Sequence, residues 1–384
     1  MEALTQGITE LIASPGSFVM MVIGAILIII AVKKEYEPML LLPIGFGAIL
    51  VNLPFAAVWE FEGEAGVLQI FYNAGILTEI FPVLIFVAVG AMIDFSVLIK
   101  SPKMLFLGAA AQFGIFATVV VVVLLADIFP GLEIDLMTAA SIGILGTADG
   151  PTSIFVASRF APHLLGPIAV AAYSYMALVP IIQPPVIKAL TTKEERLIRM
   201  EFSDKKISKT ALIMFPIAVT IISGILAPVA VPLVGLLMFG NLIRVSGVLE
   251  RLSLSAQNEL ANLVTLLLGI TIGATMHYER FLQPTTLIVL SLGLVAFIFD
   301  TAGGVVFVKI LNLIAPKSKI NPMVGAAGIS AFPMSARLVQ KMAAEEDPTN
   351  FILMPAVSAN VAGQVASAIA GGMVLAIVPQ LLGL

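Results

Sequence analysis

A few side chains stand out from the apolar background by type and spacing. Asp149 sits in GTADGPT (146–152), flanked by Gly146, Gly150 and Pro151. Glycine and proline there free backbone carbonyls, and a hard carboxylate oxygen beside freed carbonyls is what a dehydrated Na+ ion requires. The same acid, protonated and bonded to a neighbouring helix, would also fit. A second interruption, NPMVGAAGISAFPMSARLVQK (321–341), sets Asn321, Ser330, Ser335 and Arg337 among small residues that leave room for an ion or water. A buried Arg337 would clamp an anion with its planar fork; at the interface it would serve only as an anchor. In SANVAGQVAS (358–367), Asn360 and Gln364 lie one helical turn apart and face one direction, either toward an ion or as interhelical amide contacts. Tyr175 brings a phenol into an apolar run, with ordinary packing as the alternative.

The elements that position these groups follow from composition. The chain has 384 residues, 59% hydrophobic and 11% charged, with a mean hydropathy of +1.08. Apolar runs such as SFVMMVIGAILIIIAV approach the roughly 20 residues that carry a helix across about 30 Å of hydrocarbon. The expected protein is an all-α, multi-pass membrane protein. Glu2 stands where a signal peptide carries a basic residue, so a cleaved leader is not expected. The absence of cysteine excludes disulfides, thiolate metal sites and a cysteine nucleophile. The two histidines, His163 and His277, fall at predicted loop edges and receive no role. Nothing points to nucleic acid.

Basic residues cluster at 33–34, 100–103, 188–209, 244–251, 309–319 and 337–341, and are expected on the cytoplasmic side. The loops 54–66 and 127–135 carry acids and no Lys or Arg, and are expected outside. Spans at 15–33, 38–53, 70–98 and 104–126 alternate these loops with the N-terminus outside. A spanning segment at 136–160, followed by a span at 164–187, would then place the basic loop TTKEERLIRMEFSDKKISK outside. A re-entrant hairpin at 136–160, with GTADGPT at its tip, removes the conflict and leaves Arg159 and Arg280 outside. Gapped similarity supports a repeat. GAMID (90–94) resembles GATMH (273–277), and GTADGP (146–151) resembles GISAFP (328–333), both offset by about 182 residues. The expected organisation is a first repeat at 1–190, a cytoplasmic linker at 191–208, and a second repeat at 209–384 with its hairpin at 320–342. Each repeat would hold about five spans plus one hairpin, so the two would be inverted, the architecture of ion-coupled transporters.

The segments GTADGPTSIFVASR, AYSYMALVPIIQPPVIKALTTKEER, NPMVGAAGISAFPMSAR and SANVAGQVASAI resemble the β subunits of biotin-dependent, sodium-ion-translocating decarboxylases of oxaloacetate, methylmalonyl-CoA and glutaconyl-CoA. The resemblance covers nearly the whole chain. It implies Na+ ligation by Asp149 and Asn360, with Asn321, Gly325 and Ser330, and a role in the reaction for Tyr175, Ser330 and Arg337, the last with Asn321 at the carboxybiotin. It further implies a carboxyltransferase α subunit, a biotin carrier and a small single-span γ/δ-type subunit as partners, homo-oligomers as a further assembly, and residence in the bacterial cytoplasmic membrane. A partner's carboxybiotin would be decarboxylated here, consuming a proton and moving Na+ outward. The segment 188–209 is the expected docking surface. Two other readings stand beside this one: a Na+-coupled secondary transporter of an organic anion, and a purely structural anchor, which would need no intramembrane Asp149, Asn321 or Arg337.

Overall fold

Backbone polar groups in hydrocarbon must be satisfied without water, and the chain does this almost entirely with helix. The computed structural model describes residues 2–35, 37–61, 63–128, 134–201 and 206–383. Parts of the expected outer loop (129–133) and of the linker (202–205) lie outside the described residues. In chain order the main helices are α1 (Glu2–Ala13), α2 (Pro15–Lys34), α3 (Pro38–Asn52), α4 (Val67–Phe71, continued by a π-helical turn Tyr72–Ile76), α5 (Ile80–Met92), α6 (Met104–Ala110) and α7 (Phe113–Ile128). There follow α8 (Leu136–Gly143, continued by a 3-10 turn Ile144–Thr147), α9 (Gly150–Phe160), α10 (Leu165–Leu190), α11 (Lys209–Leu226), α12 (Val231–Ser246), α13 (Ala261–Ala274) and α14 (Pro284–Ile314). The last three are α15 (Pro322–Ala326), α16 (Met334–Glu346) and α17 (Leu353–Leu381). Among the described residues, six helical segments are long and apolar enough to cross a bilayer, and eight if two bent pairs count as spans. One small departure from an all-α chain is an antiparallel pair of two-residue strands, Glu60–Phe61 and Glu64–Ala65, in the expected outer loop.

Helices α2 and α3 follow the expected spans, whereas the next ones are interrupted. The segment expected as one span at 70–98 bends by 62° between α4 and α5, where Glu79 takes a left-handed conformation, and its helix stops at Met92. The span expected at 104–126 is present as one apolar segment, Met104–Ile128, with an irregular turn at Ala111 and Gln112 between α6 and α7. Helix α10 bends by 66°. Pro180, Pro184 and Pro185 lie in its second half, and a proline has no N–H to close the turn behind it. In the region expected as a hairpin at 320–342, the first arm is only the short α15, and the second runs on to Glu346.

Helix α17 is the pillar of the fold. In its apolar window 72% of residues are buried inside the protein, against 11% for α11, which runs along the periphery. At one end, two of the expected basic clusters gather, 188–209 and 309–319. Arg196 Nε lies 2.6 Å from Glu346, Arg199 pairs with Asp347 at 2.7 Å, and Lys309 pairs with Glu195 at 3.2 Å. Thr192 and Glu195 close a capping box over Lys193–Arg196. The first part of the linker is thus folded onto its own chain rather than free. Hydrogen bonds from Thr349, then Arg199, hold the Asp347 carboxyl down at about 2. A depressed carboxylate keeps its partner above its ordinary range, so this contact is lost only as pH falls through about 2.

Close helix approach depends on missing side chains. Helices α14 and α15 meet at Gly304 and Gly325, where a Cβ on either residue would lie 2.2 or 2.1 Å from the other's carbonyl oxygen. Gly304→Ala should therefore lower the unfolding temperature of the solubilised protein, by an overpacking cost of about 1–3 kcal/mol. Gly235→Ala is the control, because a Cβ there meets only Thr220 and Val231 at 3.6 and 3.7 Å. It should be neutral or raise the temperature through helix propensity. Equal behaviour of the two variants would show that the Gly304 contact is not tight.

Candidate functional site

The first interruption is written in local sequence. The 3-10 turn Ile144–Thr147 ends at Ala148, which is left-handed with φ of 50°. Asp149 then caps α9, with proline in its first turn. Such an acid at a helix N-terminus satisfies free amides and meets the favourable end of the helix dipole. Asp149 Oδ1 accepts from Thr152 N at 3.4 Å, and Oδ2 accepts from Thr152 Oγ1 at 2.7 Å. Oδ2 also accepts from Ser367 Oγ of α17 at 2.8 Å. The carboxylate is 5% exposed. Among the described residues no Lys, Arg or His pairs with it. A buried acid surrounded by hydroxyls and lacking a protein cation is arranged to hold either a proton or a small cation.

The second interruption, between α15 and α16, lies against the first. Ser330 N donates to Thr147 O at 3.0 Å, and Ser330 Oγ donates to Gly363 O at 2.9 Å. Helix α17 serves both breaks with one stripe. Asn360 Nδ2 donates to the carbonyls of Ala327 (3.0 Å) and Ile329 (2.6 Å). Gln364 Nε2 donates to the carbonyl of Ser330, and Ser367 to Asp149. These positions, i, i+4 and i+7, share a face. The rise of a helix puts Asn360 and Ser367 about 10 Å apart along it. Asn360 Oδ1 is buried without a partner.

The remaining candidates are dispersed. Tyr175 turns away from the break and donates its hydroxyl to the carbonyl of Leu290 in α14. Tyr173, two residues earlier and so on the opposite face of α10, is the tyrosine at the break. Its ring packs on Gly150, where a Cβ would lie 2.0 Å from Cε1, and its buried hydroxyl has no partner. Asn321 caps α15, accepting from Met323 N at 3.0 Å, and its amide donates to the carbonyls of Arg196 (2.8 Å) and Ile198 (2.9 Å) in the linker. It is remote in contact from Asp149. Gly325 lies against Gly304. Arg337 is exposed on α16 rather than buried. Ser335 joins a buried node, donating to Gln183 Oε1 (2.9 Å) and Ala326 O (3.1 Å), while Gln183 Nε2 donates to Ala326 O (3.0 Å) and Thr301 Oγ1 (3.3 Å).

Sequence reasoning passed over Ser367, Gln183, Tyr173 and Asp300. Ser367 was within reach as the next same-face position after Asn360 and Gln364. Asp300 lies inside an unbroken apolar helix with no Gly-Pro punctuation, and is fully buried. Its Oδ1 accepts from Ile115 N at 3.1 Å.

Residues 16–378 match a family described as the Na+-transporting oxaloacetate decarboxylase beta subunit. The chain is 48% identical over 385 residues to the methylmalonyl-CoA decarboxylase subunit beta of Propionigenium modestum, covering 94% of this chain and 95% of the relative. It is 44% identical over 427 residues to the oxaloacetate decarboxylase beta chain of Klebsiella pneumoniae, covering 98% of each. To the glutaconyl-CoA decarboxylase subunit beta of Acidaminococcus fermentans it is 50% identical over 363 residues, covering 94% and 93%.

The placement of Asn321 yields a direct check. Asn321→Ala removes two hydrogen bonds to the linker, each contributing about 0.5–1.5 kcal/mol. Tryptic cleavage after Arg196 and Arg199 should then accelerate several-fold through local opening. Cleavage at the parental rate would show that this amide does not hold the linker.

Proposed function

This chain belongs to the beta subunits of the Na+-transporting decarboxylases, and from that membership we propose how it works: carboxybiotin, carried by a partner subunit, is decarboxylated at this subunit, and the reaction drives Na+ outward past Asp149. The chain is a membrane decarboxylase subunit coupled to sodium transport. Three relatives named for different substrates resemble it to a similar degree along its whole length. What they share is therefore the membrane step. Substrate choice belongs to the α subunit, with a biotin carrier and a small γ/δ-type subunit completing the complex in the bacterial cytoplasmic membrane.

The observation that carries this reading is the stripe Asn360–Gln364–Ser367, which joins both helix breaks to one carboxylate. Asp149 is the charged ligand for Na+, with the hydroxyls of Thr152 and Ser367 beside it, and the unpartnered Asn360 Oδ1 is a second oxygen two turns along. Decarboxylation breaks the N–C bond of carboxybiotin, protonates the ureido nitrogen and releases CO2. An exposed Arg337 suits a carboxylate delivered from outside the subunit better than a buried one would. Tyr175 and Ser330 have committed hydroxyls in this conformation: Ser330 ties the second break to α17, and Tyr175 ties α10 to α14. Coupling is needed because moving one charge against 100 mV costs roughly 2.3 kcal/mol.

The same reading holds that the two halves are inverted repeats and that 136–160 is re-entrant. Support comes from Gly371, one turn beyond Ser367: a Cβ there would meet Thr152 and Val156 of α9 at 2.7 and 3.5 Å, and Ile144 before the tip at 3.8 Å. Both arms thus lie on one side of the tip. Arg159 pairs with Glu79 at the bend that follows the outer loop, and Arg280 lines a cleft with Trp59 and Glu60 of that loop.

Asp149→Asn should abolish Na+-dependent decarboxylation while the complex still assembles, because neutralising a buried acid removes an insertion cost. Full Na+-dependent turnover would overturn the site. Adding Asn360→Asp should not restore activity, given the two turns between the positions; recovery would place both side chains on one ion. Single cysteines near Arg159 and Arg280 should react with an impermeant reagent from outside, and those near Arg199, Lys317 and Lys341 only from the cytoplasm. Outside labelling near Arg199 would mean that 136–160 crosses the membrane.

A further inference from the structure

A second carboxylate adjoins the ion-site turn from the opposite side. Asp300, in the middle of α14, is fully buried. Its Oδ1 accepts from Ile115 N at 3.1 Å, at the irregular turn between α6 and α7, where the same amide also reaches Gln112 O at 3.2 Å. Its Oδ2 has no hydrogen-bond partner and faces Gly146, where a Cβ would lie 2.6 Å from it. Gly146 opens the GTADGPT turn that ends in Asp149 and Thr152. The next residue of α14, Thr301, accepts from Gln183, which also holds Ala326 at the second break. This stretch of α14 therefore touches both interruptions. Thr118, one turn beyond Gly114 on the same face of α7, has a second buried hydroxyl oxygen without a partner.

An N–H donor does not neutralise a buried carboxylate, and no cationic side chain pairs with Asp300 among the described residues. A metal ion needs several oxygens, and whereas Asp149 Oδ2 has the hydroxyls of Thr152 and Ser367 beside it, Asp300 Oδ2 has no hydrogen-bonded hydroxyl. A proton on Oδ2 completes the site with one atom. We infer that Asp300 is a proton-binding site of the pump, whose proton is the one consumed when carboxybiotin is decarboxylated. The inference rests on the Na+ site at Asp149. The two acids flank one turn. When Na+ neutralises Asp149, Asp300 gives up its proton more readily; when Na+ leaves outward, the exposed charge of Asp149 favours reprotonation of Asp300 from water. Each cycle moves one proton from Asp300 to the ureido nitrogen as the N–C bond breaks, so charge and atoms balance. The other titratable groups on the elements around Asp300 are Tyr175, whose ring reaches Gly293 of α14 and whose hydroxyl is held by Leu290; Tyr173 at Gly150; Lys188 in the last turn of α10; Lys309 at the end of α14, bound to Leu190 and Glu195; and Asp127, Asp135 and Lys103 at the far ends of α7, α8 and α6.

The test uses the intact complex in proteoliposomes. Asp300→Asn keeps an oxygen for the Ile115 amide and replaces Oδ2 with a group that cannot lose a proton in turnover. The expected result is preserved assembly, Na+ binding at the parental affinity measured with radioactive sodium, and decarboxylation slowed roughly a hundredfold, with the pH dependence of the residual rate flattened. Parental turnover with the parental pH profile would reduce Asp300 to a cap on α7 and overturn the proposal. Should the variant not assemble, infrared difference spectra of the parental complex decide. A protonated-carboxyl band lost on adding Na+ and shifted in frequency by Asp300→Glu supports the site, while a band that Asp300→Glu leaves in place, or a parental complex without such a band, overturns it. Full Na+-dependent activity in Asp149→Asn would instead sink the ion site on which the inference stands, a separate outcome from any behaviour of Asp300→Asn.

Discussion

A helix interrupted inside a bilayer leaves donors and acceptors that no water reaches, and the architecture of this protein answers that constraint. The two breaks face each other, so that Ser330 N can satisfy Thr147 O. Helix α17 supplies what the breaks do not supply to one another, through side-chain amides aimed at carbonyls and a hydroxyl aimed at a carboxylate. This explains why α17 is more deeply enclosed than the other long helices, although it carries more polar residues in its middle than most of them. Its burial follows from being the partner of two defects.

The same constraint organises the periphery. Where α6 gives way to α7, Asp300 of α14 accepts from the Ile115 amide. Where proline bends α10, Gln183 fills the crossing with Thr301, Ala326 and Ser335. Discontinuity in one helix is answered by a polar side chain from another, and the resulting bonds tie non-adjacent parts of the chain into one unit. A pump needs such ties, because a change at an ion site must be felt where the chemistry occurs.

Much of this was legible in the sequence. Hydropathy gives the membrane class, and Gly-x-x-Asp-Gly-Pro-Thr gives a capped helix start with an acid at its head. The amides at Asn360 and Gln364 announce a polar face by spacing alone. Three features were not legible, each for a physical reason. Which face of α10 meets the break, and so which of Tyr173 and Tyr175 lies there, depends on how the helix is turned against its neighbours, which periodicity does not give in an apolar run. Arg337 sits among small residues in sequence, yet the short α15 lets α16 present it outward. Asn321 reads as a polar group beside an ion path, but its partners are linker carbonyls more than a hundred residues earlier, and backbone acceptors leave no trace in residue type.

That last point applies with most force at the second break. Asn360 and Gln364 recognise Ala327, Ile329 and Ser330 by their carbonyls, so two of those three side chains are addressed by nothing polar. Bulk is what limits this stretch: a Cβ on Gly328 would come within 2.6 Å of Leu107 O, and one on Gly363 within 2.2 Å of Gly328 O. The segment is therefore read by volume and not by chemistry. Its vocabulary is restricted to small residues for steric reasons, and its catalogue of tolerated substitutions would look like that of a spacer even though it forms the floor of the site.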